Sequence, residues 1–282
     1  MRHPCDGEAW QQFDEDFKDF AIEPRNVRLA VATDGFTPFS INAAPYSCWP
    51  VFVTPLNLPP GFIMKTEYIF LALVVPGPEH PGKNLNIPMQ PLVDELLLLW
   101  EGVNTYDASR KKYFTIRVAY LWSIHDFPAY GNFSGWSTHG RLACPVCLGD
   151  TKSFQLRNGR KACWIDCHRR FLPPDHPFRF EANEFREDTV VHDEHPRHLT
   201  GEEVLAQINT FVGDIDNYGK LHNWNYISCF WQLPYFHKLL LRHNIDVMHN
   251  EKNVAEAIWN TCFDIPEKSK DNAKARRDLA EI

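Results

Sequence analysis

Several features that identify membrane, secreted or nucleic-acid-coating proteins are missing from this sequence. The longest apolar run, IFLALVV at residues 69–75, is far shorter than the roughly 20 residues that a membrane-spanning helix needs. The segment MRHPCDGEAW has no apolar stretch typical of a secretory signal. An excess of basic residues is also missing: 29 lysine and arginine residues face 36 aspartate and glutamate residues, so the net charge is −7, whereas dedicated nucleic-acid-binding domains are usually basic. An enzyme acting on DNA is still compatible, because acids that hold divalent metals add negative charge.

What remains is a composition suited to a folded domain. Hydrophobic residues make up 44% of the 282 residues and aromatic residues 13%, which predicts a packed core and excludes a disordered chain. The length allows one large domain, or one domain with a sizeable insertion. No internal repeat or low-complexity tract is visible. The charged terminal segment EKSKDNAKARRDLAEI shows no stop signal, so we expect a fragment of a longer protein.

The eight cysteines do not form the dense framework of a small disulfide-rich domain, because they are spread over a long chain and cluster only once. That cluster begins with Cys144-Pro-Val-Cys147, which has the spacing of a zinc-binding pair. A buried free cysteine is common for a single residue, but it is an uncommon explanation for this pairing. We therefore expect zinc at Cys144 and Cys147.

The sequence allows two choices for the remaining zinc ligands. Cys163, Cys167 and His168 follow the Cys-x-x-Cys pair at a ribbon-like interval, although the adjacent Cys167 and His168 are not expected to bind the same ion. His243 and His249, in HNIDVMH, are the other choice and would have to reach the thiols through tertiary folding.

Apolar periodicity predicts an α/β chain. Alternating or continuous apolar residues predict strands, and a three-to-four-residue spacing predicts one helix among them. The predicted order is strand 27–36, strand 49–58, strand 69–75, helix 87–103 and strand 113–126. Asp34 and Asp126 stand at the carboxyl ends of the first and fourth of these strands.

Three strands, a helix and a further strand are the opening of the ribonuclease H-like fold, in which the first and fourth strands are neighbours. Asp34 and Asp126 would then lie side by side and repel each other unless a cation such as Mg²⁺ lies between them. We expect their carboxylates to be about 4 to 7 Å apart.

Each of these acids also has an ordinary explanation. Asp34-Gly35 is more often a turn than a metal-binding site. Asp126 precedes Phe127-Pro128 and could simply cap a helix, since aspartate is a preferred N-cap residue. Glu251 lies on a predicted helix, where an isolated glutamate is usually a solvated surface residue.

Seven segments together resemble the plant CACTA (En/Spm-like) transposase family, in the correct order and over nearly the whole chain. They are PRNVRLAVATDGF, YSCWPV, MQPLVDELLLLWEGV, TYDAS, DFPAYGNFSGWSTHGRLACPVC, CHRRFLPPDHPFR and LLRHNIDVMHNEKNV. The resemblance implies a DDE-type nuclease of ribonuclease H-like fold that cuts and rejoins DNA with two Mg²⁺ or Mn²⁺ ions. It implies that Asp34, Asp126 and Glu251 are the three catalytic, metal-binding acids. The helix of Glu251 must then pack on the sheet, so we expect its apolar residues to be buried beside the acid; these are Val247, Met248, Val254 and Ile258.

The same resemblance implies a structural zinc site. In the catalytic subunit of the V(D)J recombinase, a Cys-x-x-Cys pair after the second acid and a histidine pair before the final glutamate bind zinc jointly. By that analogy Cys144, Cys147, His243 and His249 are the favoured zinc ligands, with Cys163, Cys167 and His168 as the alternatives.

The expected architecture is a mixed sheet with helices on both faces and a zinc-stabilised insertion between the second and third acids. Residues 1–135 would form the first part of the core, residues 136–235 the insertion, and residues 236–282 the helical part that carries Glu251. The expected partners are transposon-end and target DNA, further copies of the chain in an active oligomer, and an accessory transposon-encoded DNA-binding protein; no membrane is expected. The expected location is the nucleus. The rival hypothesis is an inactive or domesticated relative that binds DNA or a protein.

Overall fold

The computed structural model describes residues 2–39, 46–79, 81–164, 169–181 and 190–281. The chain divides into two compact units. The first comprises Met1–Trp136, Leu199–Val212 and Asn225–Asp246, and the second comprises Ser137–His198, Gly213–Trp224 and Val247–Ile282. Within the described part of the chain, no helix is long and apolar enough to cross a membrane.

Strands and helices are interspersed along the chain, as the sequence predicted for an α/β protein. The strands are β1 (Val27–Thr33), β2 (Trp49–Pro55), β3 (Phe70–Val75), β4 (Val103–Asp107), β5 (Lys112–Ile116), β6 (Val118–His125), β7 (Phe154–Gln155), β8 (Ala162–Cys163) and β9 (His243–Ile245). The α-helices are α1 (Glu8–Asp16), α2 (Lys18–Ala21), α3 (Asn86–Glu101), α4 (Phe127–Ser134), α5 (Gly201–Phe211), α6 (Val247–Cys262) and α7 (Ala273–Glu281).

The first unit is built on a five-stranded mixed sheet with the order β3-β2-β1-β6-β9. β1 pairs with β2, and β2 with β3, in antiparallel fashion. β6 is parallel to β1 on one side and to β9 on the other. The carboxyl ends of β1, β6 and β9 therefore meet at one edge of the sheet, while β4 and β5 form a separate hairpin.

Large buried aromatic side chains fill the core of this unit. Phe20 stacks on Trp100 with ring centroids 5.6 Å apart, and Trp100 contacts Tyr235 at 4.3 Å. Tyr235 also accepts a hydrogen bond of 2.9 Å at its hydroxyl from the backbone N–H of Tyr120 in β6. Packing and hydrogen bonding by Tyr235 together hold β6 in place between β1 and β9.

The fourth strand predicted from the sequence is in fact two strands. Residues 113–126 read as one alternating pattern, yet β5 ends at Ile116 and β6 begins at Val118. Arg117 lies at the break: its N–H donates to Oδ1 of Asn26, and its Nε donates to the carbonyl of Trp100. These tertiary hydrogen bonds redirect the chain although the apolar alternation continues. Prediction of a single strand was therefore wrong.

In the second unit, a short β7–β8 hairpin is tied to the carboxyl-terminal helix. Asp278 of α7 is buried, and its carboxylate accepts hydrogen bonds from the backbone N–H groups of Asn158 and Gly159, each at 2.7 Å. A buried carboxylate is stable only when such donors replace its water. This contact fixes α7 against the turn between β7 and β8.

Candidate functional site

Asp34 directly follows β1, and the backbone does not reverse direction there. Beyond it, Phe36 pairs with Cys48 in the same register as the β1–β2 ladder, so the backbone continues alongside β2. Gly35 is required here because a Cβ atom would lie 2.6 Å from Nε1 of Trp49. The Asp-Gly pair is thus not the chain-reversing turn that its composition usually predicts. The exposed carboxylate of Asp34 accepts a 2.7 Å hydrogen bond from the N–H of Gly35.

Asp126 is the N-cap of α4. Its Oδ1 accepts a 2.7 Å hydrogen bond from the N–H of Ala129, and the residue is half-buried. The expectation that Asp126 could cap a helix is therefore confirmed. Capping does not compete with metal binding, because an ionised carboxylate has two oxygens and about four acceptor sites. The cap holds one oxygen and thereby restricts the direction in which the other points.

The two acids follow neighbouring parallel strands. The β1–β6 register shifts once, between Leu29 and Ala30. After the shift Ala32 lies opposite Ile124, so Asp34 and Asp126 each come two residues after this matched pair. This neighbouring arrangement agrees with the expectation drawn from the sequence. The separation of the two carboxylates stays a prediction.

His125 is buried between these strand ends, with only 1% of its surface exposed. Its Nδ1 lies 3.2 Å from the carbonyl oxygen of Thr33, the residue before Asp34. Burial lowers the pKa of His125 to about 4, and the hydrogen bond to Thr33 only partly opposes this. The imidazole is therefore neutral at physiological pH.

A third strand of the sheet also ends in an acid, which the sequence analysis did not single out. Asp246 directly follows β9, and its N–H donates a 2.7 Å hydrogen bond to the carbonyl of His125. Three parallel neighbours, β1, β6 and β9, are thus each followed by an aspartate. β9 spans only His243–Ile245, which is too short for alternation to reveal it. The one available signal was the acid after an apolar residue in HNIDV.

Glu251 lies in the second unit on α6, and its side chain is exposed. The sequence led us to expect that the apolar residues around it would be buried. That expectation was wrong: no residue of α6 is buried. The apolar residues concerned are Val247, Met248, Val254 and Ile258, each at least 59% exposed. An apolar helix face is buried only when another surface covers it, and helical periodicity alone does not specify that surface.

Cys144 and Cys147 form a tight local pair. The N–H of Cys147 donates to Sγ of Cys144 at 3.4 Å, and the N–H of Leu148 donates to the carbonyl of Cys144 at 3.0 Å. The hydrogen bond from the Cys147 thiol lowers the pKa of Cys144 to about 6, and the charge of Arg170 contributes in the same direction. The pKa of Cys147 is raised, because its thiol keeps the shared proton. A thiolate is the form that binds zinc.

The other candidate zinc ligands are held in different ways. His243 on β9 has its Nδ1 2.8 Å from Oγ of Ser123, so Nε2 is the nitrogen that a metal would use. Burial, chiefly, lowers the pKa of His243 well below its usual value. His249 lies in the first turn of α6, and Cys163 is buried in β8.

Cys167 and His168 lie outside the described residues. Among the residues that are described, no three His, Cys, Asp or Glu side chains converge as a metal-binding group. The zinc ligand set therefore stays a prediction, as does the set of catalytic acids.

A family model described as "Transposase family tnp2" matches residues 1–211 of the chain. The matched part contains Asp34, Asp126 and the Cys-x-x-Cys pair, and it ends before His243 and Glu251. No curated protein matches the chain significantly.

Proposed function

The chain belongs to the transposase family tnp2, and from this membership we propose that it is the catalytic core of a DDE-type transposase of the CACTA (En/Spm-like) kind. Transposition as the general role, with DNA as the molecule bound, follows from the family. The proposed reaction is metal-dependent hydrolysis of a phosphodiester at a transposon end. The freed 3′-hydroxyl then attacks target DNA in line.

One observation carries this proposal: Asp34 and Asp126 follow the carboxyl ends of two neighbouring parallel strands. Carboxylate oxygens are the ligands that Mg²⁺ and Mn²⁺ prefer, so this pair fits a divalent cation. When bound, two such ions would activate water and stabilise the leaving oxygen. The contribution of the chain is to hold the acids in place. Ala129 does so for Asp126 through the helix cap.

Glu251 is proposed as the third acid, and its position on α6 supports this role. Val247, Val254 and Ile258 lie four residues before, three after and seven after Glu251, which places all of them on one stripe of the helix. Glu251 is the charged residue within this apolar stripe, whereas Glu256 falls on the opposite side with Lys252. A glutamate that only solvates a helix belongs on the polar side.

A structural Zn²⁺ ion is proposed at Cys144 and Cys147, with His243 and His249 as the favoured partners. The fit rests on the thiol chemistry: the N–H of Cys147 points at Sγ of Cys144, and the Cys144 thiol ionises readily. Cys163, Cys167 and His168 form the alternative local set. Zinc would cross-link an irregular segment of the chain and would take no part in the reaction.

The net charge of −7 supports the proposal that most of the DNA affinity comes from another protein. A core with this charge gains little of its DNA affinity from phosphate neutralisation, which depends on lysine and arginine. We therefore propose that an accessory transposon-encoded DNA-binding protein supplies recognition of the transposon ends. The active form is proposed to be an oligomer of this chain. The proposed place of action is the nucleus.

The test is a cleavage assay on a duplex that carries the ends of the encoding element and is already nicked at one end. With Mn²⁺, wild-type protein should cleave, and Asp126→Asn should lower the rate about a thousandfold, because several kcal/mol of transition-state stabilisation are lost. Asparagine is as good an N-cap as aspartate, so α4 should be retained. Asp94→Asn, an exposed change on α3, is the matched control and should cleave like wild type.

The rival function is that of an inactive or domesticated relative that binds DNA or a protein partner. It would be supported if wild-type protein bound the terminal duplex without cleaving it and Asp126→Asn bound equally well. Cleavage that persists in Asp126→Asn at the wild-type rate would show that the acid was wrongly assigned.

A further inference from the structure

His125 makes contacts that a residue needed only for packing would not require. It is the last residue of β6, and its buried Nδ1 lies 3.2 Å from the carbonyl oxygen of Thr33 at the end of β1. A carbonyl oxygen can only accept, so Nδ1 must carry the proton and donate it. The ring thereby links the ends of the two strands that lead into Asp34 and Asp126.

The remaining contacts of His125 reach the other elements at this edge of the sheet. Its carbonyl oxygen accepts the 2.7 Å hydrogen bond from the N–H of Asp246 after β9. Its ring packs on Phe133 of α4, with centroids 4.3 Å apart, and Asp126 caps that same helix. One side chain and its backbone thus contact all three strand ends that are followed by an acid.

This arrangement has a cost for stability. Nε2 of His125 is buried and has no hydrogen-bond partner in the part of the chain that the structure describes. An unsatisfied buried polar atom costs about 1–3 kcal/mol, and an apolar side chain of similar size would avoid that cost. Fold stability by itself therefore does not account for a histidine at this position.

We propose that His125 is a positioning residue for the strand-end acids: its Nδ1–H bond to Thr33 fixes the separation of Asp34 and Asp126 and so tunes their affinity for a divalent cation. The proposal rests on the proposed function, because it presupposes that these acids bind the catalytic metal. Residues that orient metal ligands without touching the metal typically contribute 10–100-fold to metal affinity. Thr33 is also anchored on its other side, where its Oγ1 donates to the carbonyl of Pro50 at 2.8 Å.

Two substitutions separate hydrogen bonding from ring packing. His125→Asn removes the ring but places an amide N–H close to the position of Nδ1, whereas His125→Gln removes the ring and places its amide nearer the position of Nε2. We expect His125→Asn to bind Mn²⁺ within about threefold of wild type, and His125→Gln to bind it about 10–100-fold more weakly. The measurement is a Mn²⁺ titration of the whole chain, monitored by electron paramagnetic resonance. Circular dichroism checks that each variant is folded.

Asp126→Asn, measured in parallel, separates the two proposals. If it weakens Mn²⁺ binding while the two His125 variants bind equally, the positioning role is wrong and the proposed metal site stands. If Asp126→Asn binds Mn²⁺ as wild type does, the metal site is wrong and the positioning role falls with it.

A measurement on the wild-type protein keeps the inference testable even if a variant does not fold. Long-range proton–nitrogen NMR spectra of ¹⁵N-histidine-labelled protein distinguish the two neutral tautomers. The inference requires the proton of His125 on Nδ1. A proton on Nε2 would overturn it.

Discussion

Asp126 and Glu251 both lie near the beginning of a helix, yet the chain holds them in different ways. Asp126 caps α4 and follows β6, whose central residues Tyr120 and Leu121 are completely buried. Glu251 lies in the second turn of α6, which has no buried residue. The position of Asp126 is set within its own unit by a strand ladder and a helix cap. The position of Glu251 is set only by the helix, so its role depends on what covers the apolar stripe.

The largest effect is expected when the charge of Glu251 is removed. We expect Glu251→Gln to lower the rate of Mn²⁺-dependent cleavage about a thousandfold, because a two-metal site with two aspartates alone is short of a ligand. Folding and zinc content should be unchanged. Glu256→Gln on the polar side of the same helix is the matched control and should cleave normally. Equal rates for both variants would restrict the active site to the acids of the first unit.

The second prediction concerns the irregular segment of the second unit. We expect purified protein to contain about one zinc per chain, and Cys144→Ser to remove most of it and to lower the thermal unfolding temperature. Cys262→Ser changes an exposed cysteine on α6 and should leave the zinc content unchanged. Metal analysis by atomic spectroscopy is the measurement, and wild-type protein free of zinc would exclude the site.

The same measurement distinguishes the two zinc ligand sets. His243→Ala should reduce zinc content if the histidine pair completes the site, whereas Cys163→Ser should do so if the local ribbon completes it. If neither substitution lowers the zinc content, only Cys167, His168 or His249 would be left among the candidates to supply the missing ligands.

The smallest expected effect is on the stability of α6. Ile258 is 60% exposed, so Ile258→Ala should change the free energy of unfolding by less than about 0.5 kcal/mol. Leu121→Ala in β6, where the side chain is 1% exposed, should cost about 2–5 kcal/mol. Urea unfolding of both variants is the test. A cost above about 1 kcal/mol for Ile258→Ala would mean that the stripe around Glu251 is covered in solution.

The sequence predicted much of the first unit because its signals are local. The predicted strands 27–36, 49–58 and 69–75 and the helix 87–103 correspond to β1, β2, β3 and α3, each with ends within three residues of those observed. Alternation and helical spacing record which side of an element is buried, and that record survives in a single sequence. The family resemblance is confirmed at the level of a transposase by the match to residues 1–211.

The sequence indicated which strands lead into Asp34 and Asp126 and that Cys144 and Cys147 form a pair, because each of these features lies within one short segment. Three other features could not be predicted: the break in the chain at Arg117, the third parallel strand that leads into Asp246, and the hydrogen bond from His125 to Thr33. These features depend on hydrogen bonds between residues far apart in the chain, and a buried histidine in an apolar strand has the same local pattern whether or not it has a partner. Periodicity records burial along one element, whereas a site at the ends of several strands exists only once those strands have paired.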